Sequence, residues 1–245
     1  MSFRRKREPE MAKERIPFTS ALGKWEGIAV FAYIPLHLFL LPLVINYFLV
    51  KGYMGEAAAN FLLYVIGVFY MLGFGWKFLR RDFDPLMDNF LHVVSEVCIS
   101  YAIMMGLNFV LNLLLLKLMP LDNPNNAAVM GIAGEAYGKT AALAIFLAPI
   151  VEEMIFRAGI FGVMRKYSRI GAYILSILAF SVYHVWAFAI QDPSYWIYML
   201  QYVPVSYLLC RVYERCNSIW GSISMHMLVN AIAIKALTMM QELMV

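Results

Sequence analysis

Charge is what this sequence has least of. Only 15% of its 245 residues are Asp, Glu, Lys or Arg, against roughly 25% in a soluble domain. A soluble fold of this length needs a charged surface that the chain cannot supply. Cysteine is also scarce. Cys98, Cys210 and Cys216 form no CxxC pair and sit in or beside apolar segments, which excludes a disulfide scaffold and reads as packed thiols. Internal repeats, low-complexity stretches and domain linkers are absent. So are the alternating segments of roughly 10 residues that a membrane β-barrel requires. The first apolar run is too long for a removable signal and no small-x-small cleavage site follows it, so no such signal is expected. The net charge of +4 is no argument for nucleic acid, and no nucleic-acid partner is expected.

What the chain has is apolar length. Hydrophobic residues make up 62% of it, and its mean hydropathy is +0.68. The apolar runs predict an all-α polytopic transmembrane helical bundle of about seven spans, near 27–50, 57–79, 90–118, 139–163, 171–191, 195–213 and 218–240, each close to the ~20 residues a bilayer needs. Leu121-Asp122-Asn123-Pro124-Asn125-Asn126, just after Pro120, is the clearest turn signal. It opens a connection expected to run to about Gly138. Asp84-Pro85 and Asp192-Pro193 mark two further boundaries. The chain divides into a basic tail (1–26), N-terminal membrane helices (27–119) and a second set of membrane helices (120–245).

Lysine and arginine placement predicts the orientation. Arg4, Arg5, Lys6, Arg7, Lys13, Arg15 and Lys24 precede the first span, and the same side carries Lys77, Arg80, Arg81, Arg165, Lys166, Arg169, Arg211 and Arg215. The opposite side carries only Lys51, Lys117, Lys139 and Lys235. This puts the N-terminus in the cytoplasm, with the tail against an anionic inner leaflet. The expected location is a cell membrane, read as bacterial.

Ionisable groups inside a bilayer are costly and point to function. The fourth span holds Glu152, Glu153 and Arg157, the fifth His184, and the seventh His226 and Asn230. At ~1.5 Å rise per residue, Glu152, His184, His226 and Asn230 lie roughly 17, 20, 12 and 18 Å from the cytoplasmic ends of their spans. Three helices thus bring polar groups to one layer. Glu153 and Arg157 share a helix face, as a buried ion pair requires, while Glu152 points about 100° away and stays available for chemistry. Pro149 lies just upstream and can open the helix beside the site. A carboxylate and a histidine can activate a water and later protonate a leaving amine. A second histidine and an asparagine amide can donate to an oxyanion. Proton-coupled transport uses the same residue types, and a purely structural network remains open, so composition alone does not fix the reaction.

Glu-Glu-x-x-x-Arg (152–157), Phe-x-x-x-His (180–184) and His-x-x-x-Asn (226–230), in this order on membrane helices, resemble the CPBP family of intramembrane proteases. These are the CAAX proteases and bacteriocin-processing enzymes, also called Abi proteins. The resemblance covers about residues 120–240. It implies an intramembrane endopeptidase acting on a peptide or protein substrate in the lipid bilayer. Glu152 would be the catalytic base with His184 as its partner, His226 and Asn230 the oxyanion donors, and Glu153 and Arg157 their supports. Non-catalytic scaffolds on the same fold are the alternative, although every motif residue is intact here. Family members are often labelled metalloproteases. Glu152, His184 and His226 could hold Zn²⁺, but HExxH is absent and the Asn230 amide is a poor ligand, so no metal cofactor is expected. Gly-x-Gly-Asp is absent, which disfavours an aspartyl type. Gly221-Ser222-Ile223-Ser224 faintly echoes a serine type, with Ser222 and His226 on one helix rather than two.

Other polar residues have simpler expected roles. His37 and His92 are expected to pack or sit at an interface. Glu96, Asn108 and Asn112 suggest a helix–helix hydrogen-bonding stripe. Tyr183, Trp186, Tyr195, Trp196 and Tyr198 read as an interfacial aromatic belt.

Overall fold

The structure, a computed structural model, describes residues 18–115 and 123–244. Most of the basic tail and the residues from Leu116 to Asp122 lie outside the described residues. Among the described residues the secondary structure is helical, without strands. Five helices are long and apolar enough to cross a membrane: Lys24–Val50, Glu56–Arg81, Phe90–Leu115, Arg169–Ala189 and Ile219–Ala236. We label Lys24–Val50 α1, Glu56–Arg81 α2, the short Phe83–Asp88 α3, Phe90–Leu115 α4, Pro124–Ala142 α5, residues 143–165 α6, Arg169–Ala189 α7, Met199–Cys216 α8 and Ile219–Met244 α9. Helix α8 packs against α7, α4 and α9. Its Leu208, Leu209, Cys210, Val212 and Tyr213 are wholly buried.

The expected long connection before the fourth span is a helix instead. Asn123 is the N-cap of α5, its side chain accepting from the backbone N–H of Asn125 and Asn126, and Pro124 opens the first turn. The Asn and Pro read as turn formers are equally good at starting a helix. The turn signal was therefore a cap. Asn123 also donates to Gln201 at 2.6 Å, which ties this start to α8. Helix α5 bends at Ala136, whose backbone is non-helical, and runs on into α6.

Two prolines widen the helices that bear on the site. A π-helical turn, Leu36–Leu40, ends just before Pro42, and another, Leu143–Leu147, ends just before Pro149. A third wide stretch, Met154–Phe161, follows the glutamates. A proline cannot donate the next backbone bond, and such extra-residue turns are common at functional sites. At the second of them Ala148 N–H bonds to Leu143 O rather than Ala144 O. Pro149, the next residue, has no N–H to offer Ala144.

The polar end of the bundle is held by ion pairs. Arg211 and Arg215, expected in a loop, lie on α8 and reach Glu96 of α4 at 3.0 and 2.7 Å. Glu96 thus belongs to an ion-pair network rather than to a stripe with Asn108 and Asn112. Glu214 pairs with Arg165 and Arg169, both at 2.7 Å. These groups bring residues of two predicted same-side loops together. Asn217, in the left-handed conformation (φ 49°), accepts from Thr19 N and Ser20 N. Asp82, buried between α2 and α3, accepts from Ser20 Oγ at 2.7 Å and from Ile219 N at the start of α9. Burial pushes the Asp82 carboxyl above its ordinary range, against the Ser20 and Ile219 donors that favour its charged form. Asp82→Ala would leave the Ile219 N–H without its acceptor. The expected loss is about 2 kcal/mol of stability, read as a lower thermal midpoint in detergent, with Asp82→Asn recovering part of it.

Candidate functional site

Glu152 and Glu153 close the helical segment Ala148–Glu153 that Pro149 opens. Both are buried, and they point to different partners. Glu153 forms an ion pair with Arg157, whose Nη1 lies 3.1 Å from its Oε1, and accepts hydrogen bonds from His226 Nδ1 at 2.8 Å and from Ser222 Oγ. Arg157 is fully buried, within 3.2 Å of Ser206 Oγ, and its guanidinium lies 4.3 Å from the centre of the Phe180 ring. The expected ion pair is present even though the helix between its members is π-wound. Ser222, whose position suggested a serine enzyme, instead holds Glu153.

Glu152 keeps one oxygen for the cavity. Its Oε1 accepts from Tyr64 OH at 3.1 Å. Its Oε2 is buried without a hydrogen-bond partner among the described residues. It lies 3.7 Å from His184 Nε2 and 3.8 Å from His226 Nε2. Each imidazole is aimed by a bond at its far nitrogen. His184 Nδ1 donates to Phe180 O at 2.8 Å, one helical turn back, and the ring stacks on Tyr202 with centroids 4.6 Å apart. His226 Nδ1 donates to Glu153. Both Nε2 atoms therefore face Glu152. The shared depth inferred for these three residues corresponds to their meeting at one point.

Asn230 lines the same cavity, but one of its amide hydrogens goes to Ala144 O at 2.7 Å. This is the carbonyl that Ala148 and Pro149 leave without a backbone donor. Asn230 thus repairs the helix opened by the proline, and one amide hydrogen remains.

The cavity measures about 920 Å³, a volume suited to a sizeable ligand. Asn108 and Asn112, expected to bond helix to helix, line it instead. His37 packs as expected, buried and bonded to Tyr183 OH at 2.9 Å, and one other reading is corrected. Tyr183, assigned to an interfacial belt, bonds Tyr64 OH at 2.8 Å. Tyr64 and Tyr202 carried no sequence signal, because a tyrosine in a membrane helix is unremarkable until its neighbours are known. Ser222 carried one, its position four residues before His226. Among the described residues no group of three His, Cys, Asp or Glu side chains is arranged to hold a metal ion. Glu152, His184 and His226 as they stand do not form a coordination set.

The helical bundle, with five helices able to cross a membrane, buries a Glu–His–His cluster at the wall of a large cavity. Residues 137–232 match the family described as type II CAAX prenyl endopeptidase Rce1-like, which bears out the resemblance drawn from the motifs. The matched segment contains all of Glu152, Glu153, Arg157, His184, His226 and Asn230. No curated protein and no solved structure matches the chain.

Proposed function

We propose that this protein is an intramembrane endopeptidase that cleaves a membrane-associated or lipidated peptide with a water activated by Glu152 and His184. The observation that carries this reading is Glu152 Oε2, buried, without a hydrogen-bond partner and facing two histidine Nε2 atoms across 3.7 and 3.8 Å. A water donating to Glu152 Oε2 and to the neutral His184 Nε2 is held at the cavity wall. Glu152 takes its proton as the water oxygen attacks the scissile carbonyl. The carbon–nitrogen bond breaks, the water oxygen stays in the new carboxyl, and the amine leaves with the proton.

His226 requires a charge argument. Its Nδ1–H is spent on Glu153, so Nε2 can donate to an oxyanion only if the ring is an imidazolium. Glu153 and Glu152 lie 2.8 and 3.8 Å from its two ring nitrogens, so an imidazolium there would face a carboxylate on each side. The remaining Asn230 hydrogen is the second oxyanion donor. Glu153 and Arg157 hold His226 in place.

A second cavity of about 320 Å³, lined by apolar residues including Ile34, Phe39, Ile155, Ile160, Val182 and Trp186, adjoins the first across His37 and Tyr183. Its lining suits a lipid chain, which favours a lipidated substrate. We take residues 143–165 and 199–216 as two further crossings beside the five apolar helices, with the N-terminus cytoplasmic. The meeting of Arg165, Arg169, Arg211 and Arg215 at one end supports this orientation. A bacterial cell membrane remains the reading for its location.

The test is reconstitution of the full chain in proteoliposomes with a quenched-fluorescent, farnesylated CAAX peptide and its unlipidated counterpart. Cleavage identified by mass spectrometry is the expected result. Proton-coupled flux without cleavage would make the protein a transporter, and neither activity would make it a scaffold. The same assay tests the cofactor. Activity is expected to survive extended chelation in protein that elemental analysis shows to lack stoichiometric zinc. Loss on chelation, restored by one equivalent of Zn²⁺, would replace the water–glutamate mechanism with a metal one.

A further inference from the structure

The family match begins at residue 137, yet three residues far upstream of it are wired to the candidate base. Tyr64 OH, on α2, donates to Glu152 Oε1 at 3.1 Å. Tyr64 OH and Tyr183 OH, from α2 and α7, are 2.8 Å apart. Tyr183 OH is 2.9 Å from His37 Nε2, and His37 Nδ1 is 3.2 Å from Tyr33 OH, both on α1.

Only one polarity satisfies these contacts when Glu152 is ionised. A phenol has a single hydrogen. Tyr64 spends its hydrogen on the carboxylate, so its oxygen must accept from Tyr183. Tyr183 has then spent its own, so its oxygen must accept from His37 Nε2–H. The neutral His37 ring keeps Nδ1 as an acceptor, and Tyr33 OH fills it. Every bond in the series donates toward Glu152.

The local sequence builds this arrangement. His37 sits in the π turn ahead of Pro42. Gly67 lets α2 pass so close to α1 that a Cβ there would meet Tyr33 OH at 2.5 Å and Val151 at 2.9 Å. His37 is 3% exposed. A buried histidine needs partners for both nitrogens, and here those partners lead to the site.

We infer that His37 is a positioning residue for Glu152, acting through Tyr183 and Tyr64. This inference rests on the proposed protease reading. The chain fixes Oε1 toward α1, α2 and α7, and so turns Oε2 to the two histidines and the cavity. Hydrogen bonds passed along a chain strengthen one another, so the far end affects the carboxylate without touching it. The N-terminal helices, outside the family match, thereby supply part of the catalytic geometry.

The test is a set of variants in the full chain, assayed in proteoliposomes on the farnesylated quenched peptide, with kcat and KM measured separately. His37→Phe is expected to lower kcat about tenfold, the scale of one charge-assisted hydrogen bond, beyond any change in KM from the cavity wall that His37 shares. His37→Gln keeps a donor and an acceptor and is expected to stay within about threefold of wild type. Tyr64→Phe cuts the chain at its last link, so adding His37→Phe to it is expected to cost nothing further. Tyr183→Phe removes one hydroxyl while keeping the ring. It carries the same cycle if His37→Phe does not fold, and is expected to match the His37→Phe loss. Wild-type kcat in His37→Phe or Tyr183→Phe, or losses that multiply in the double variants, would overturn the inference. If Glu152→Gln is dead while His37→Phe is fully active, the positioning role falls and the protease reading stands. If Glu152→Gln is active, both fall.

Discussion

Glu152→Gln is expected to lower peptide cleavage at least about 10³-fold, and His184→Ala about 10²-fold or more, in protein that keeps its wild-type thermal midpoint. The asymmetry follows from the geometry. Glutamine fills the same volume and can still accept from Tyr64, whose hydroxyl bonds Oε1, but it cannot take a proton at the position of Oε2. General acid–base groups contribute typically ~10²–10⁴ in rate. His184 assists from Nε2 at 3.7 Å, so its removal leaves Glu152 still able to act as base. Folding is expected to hold because both substitutions leave the buried Glu153–Arg157 pair intact. The measurement is single-turnover cleavage of the farnesylated peptide by matched amounts of folded protein. Wild-type turnover in a well-folded Glu152→Gln protein would remove Glu152 from the chemistry.

Arg157→Ala is expected to damage folding at least as much as catalysis. The guanidinium is fully buried and its partner Glu153 is equally buried, 3.1 Å away. Without it Glu153 is left an under-compensated carboxylate inside an apolar bundle. Breaking a buried pair in this way costs about 3–5 kcal/mol. The ring of Phe180, 4.3 Å from the guanidinium, loses its cation as well. Combining Arg157→Met with Glu153→Gln removes both charges and is expected to recover part of the stability. It would not recover activity, because His226 loses the carboxylate that aims it. Thermal unfolding in detergent, followed beside cleavage, separates the two effects. An Arg157→Ala protein of unchanged stability would show that the pair is not what holds this part of the bundle.

The same residues show how far the sequence could be read. Glu152, Glu153, Arg157, His184, His226 and Asn230 stood out because a polar group in an apolar run is conspicuous against its background. His37 was equally visible, but its role was not. One histidine in a span reads as packing until Tyr183 is brought to it from 146 residues away. Tyr64 is further still from notice, since nothing in its own segment marks it. Asn123 and Pro124 were read correctly as a break and wrongly as a loop, because the same side-chain chemistry that turns a chain also caps a helix.

Taken alone, the sequence determined the all-helical class, the catalytic candidates, the Glu153–Arg157 pairing and, of about seven expected spans, the five that are long and apolar enough to cross a membrane. These follow from composition and from helical periodicity, which are local properties. Tertiary structure alone decided which glutamate oxygen faces the histidines, which amide hydrogen Asn230 has left, and that the N-terminal helices reach Glu152 through tyrosines. Those outcomes depend on how π turns at Pro42 and Pro149 re-aim side chains, and on contacts between helices far apart in the chain. A pattern along one helix carries no record of either.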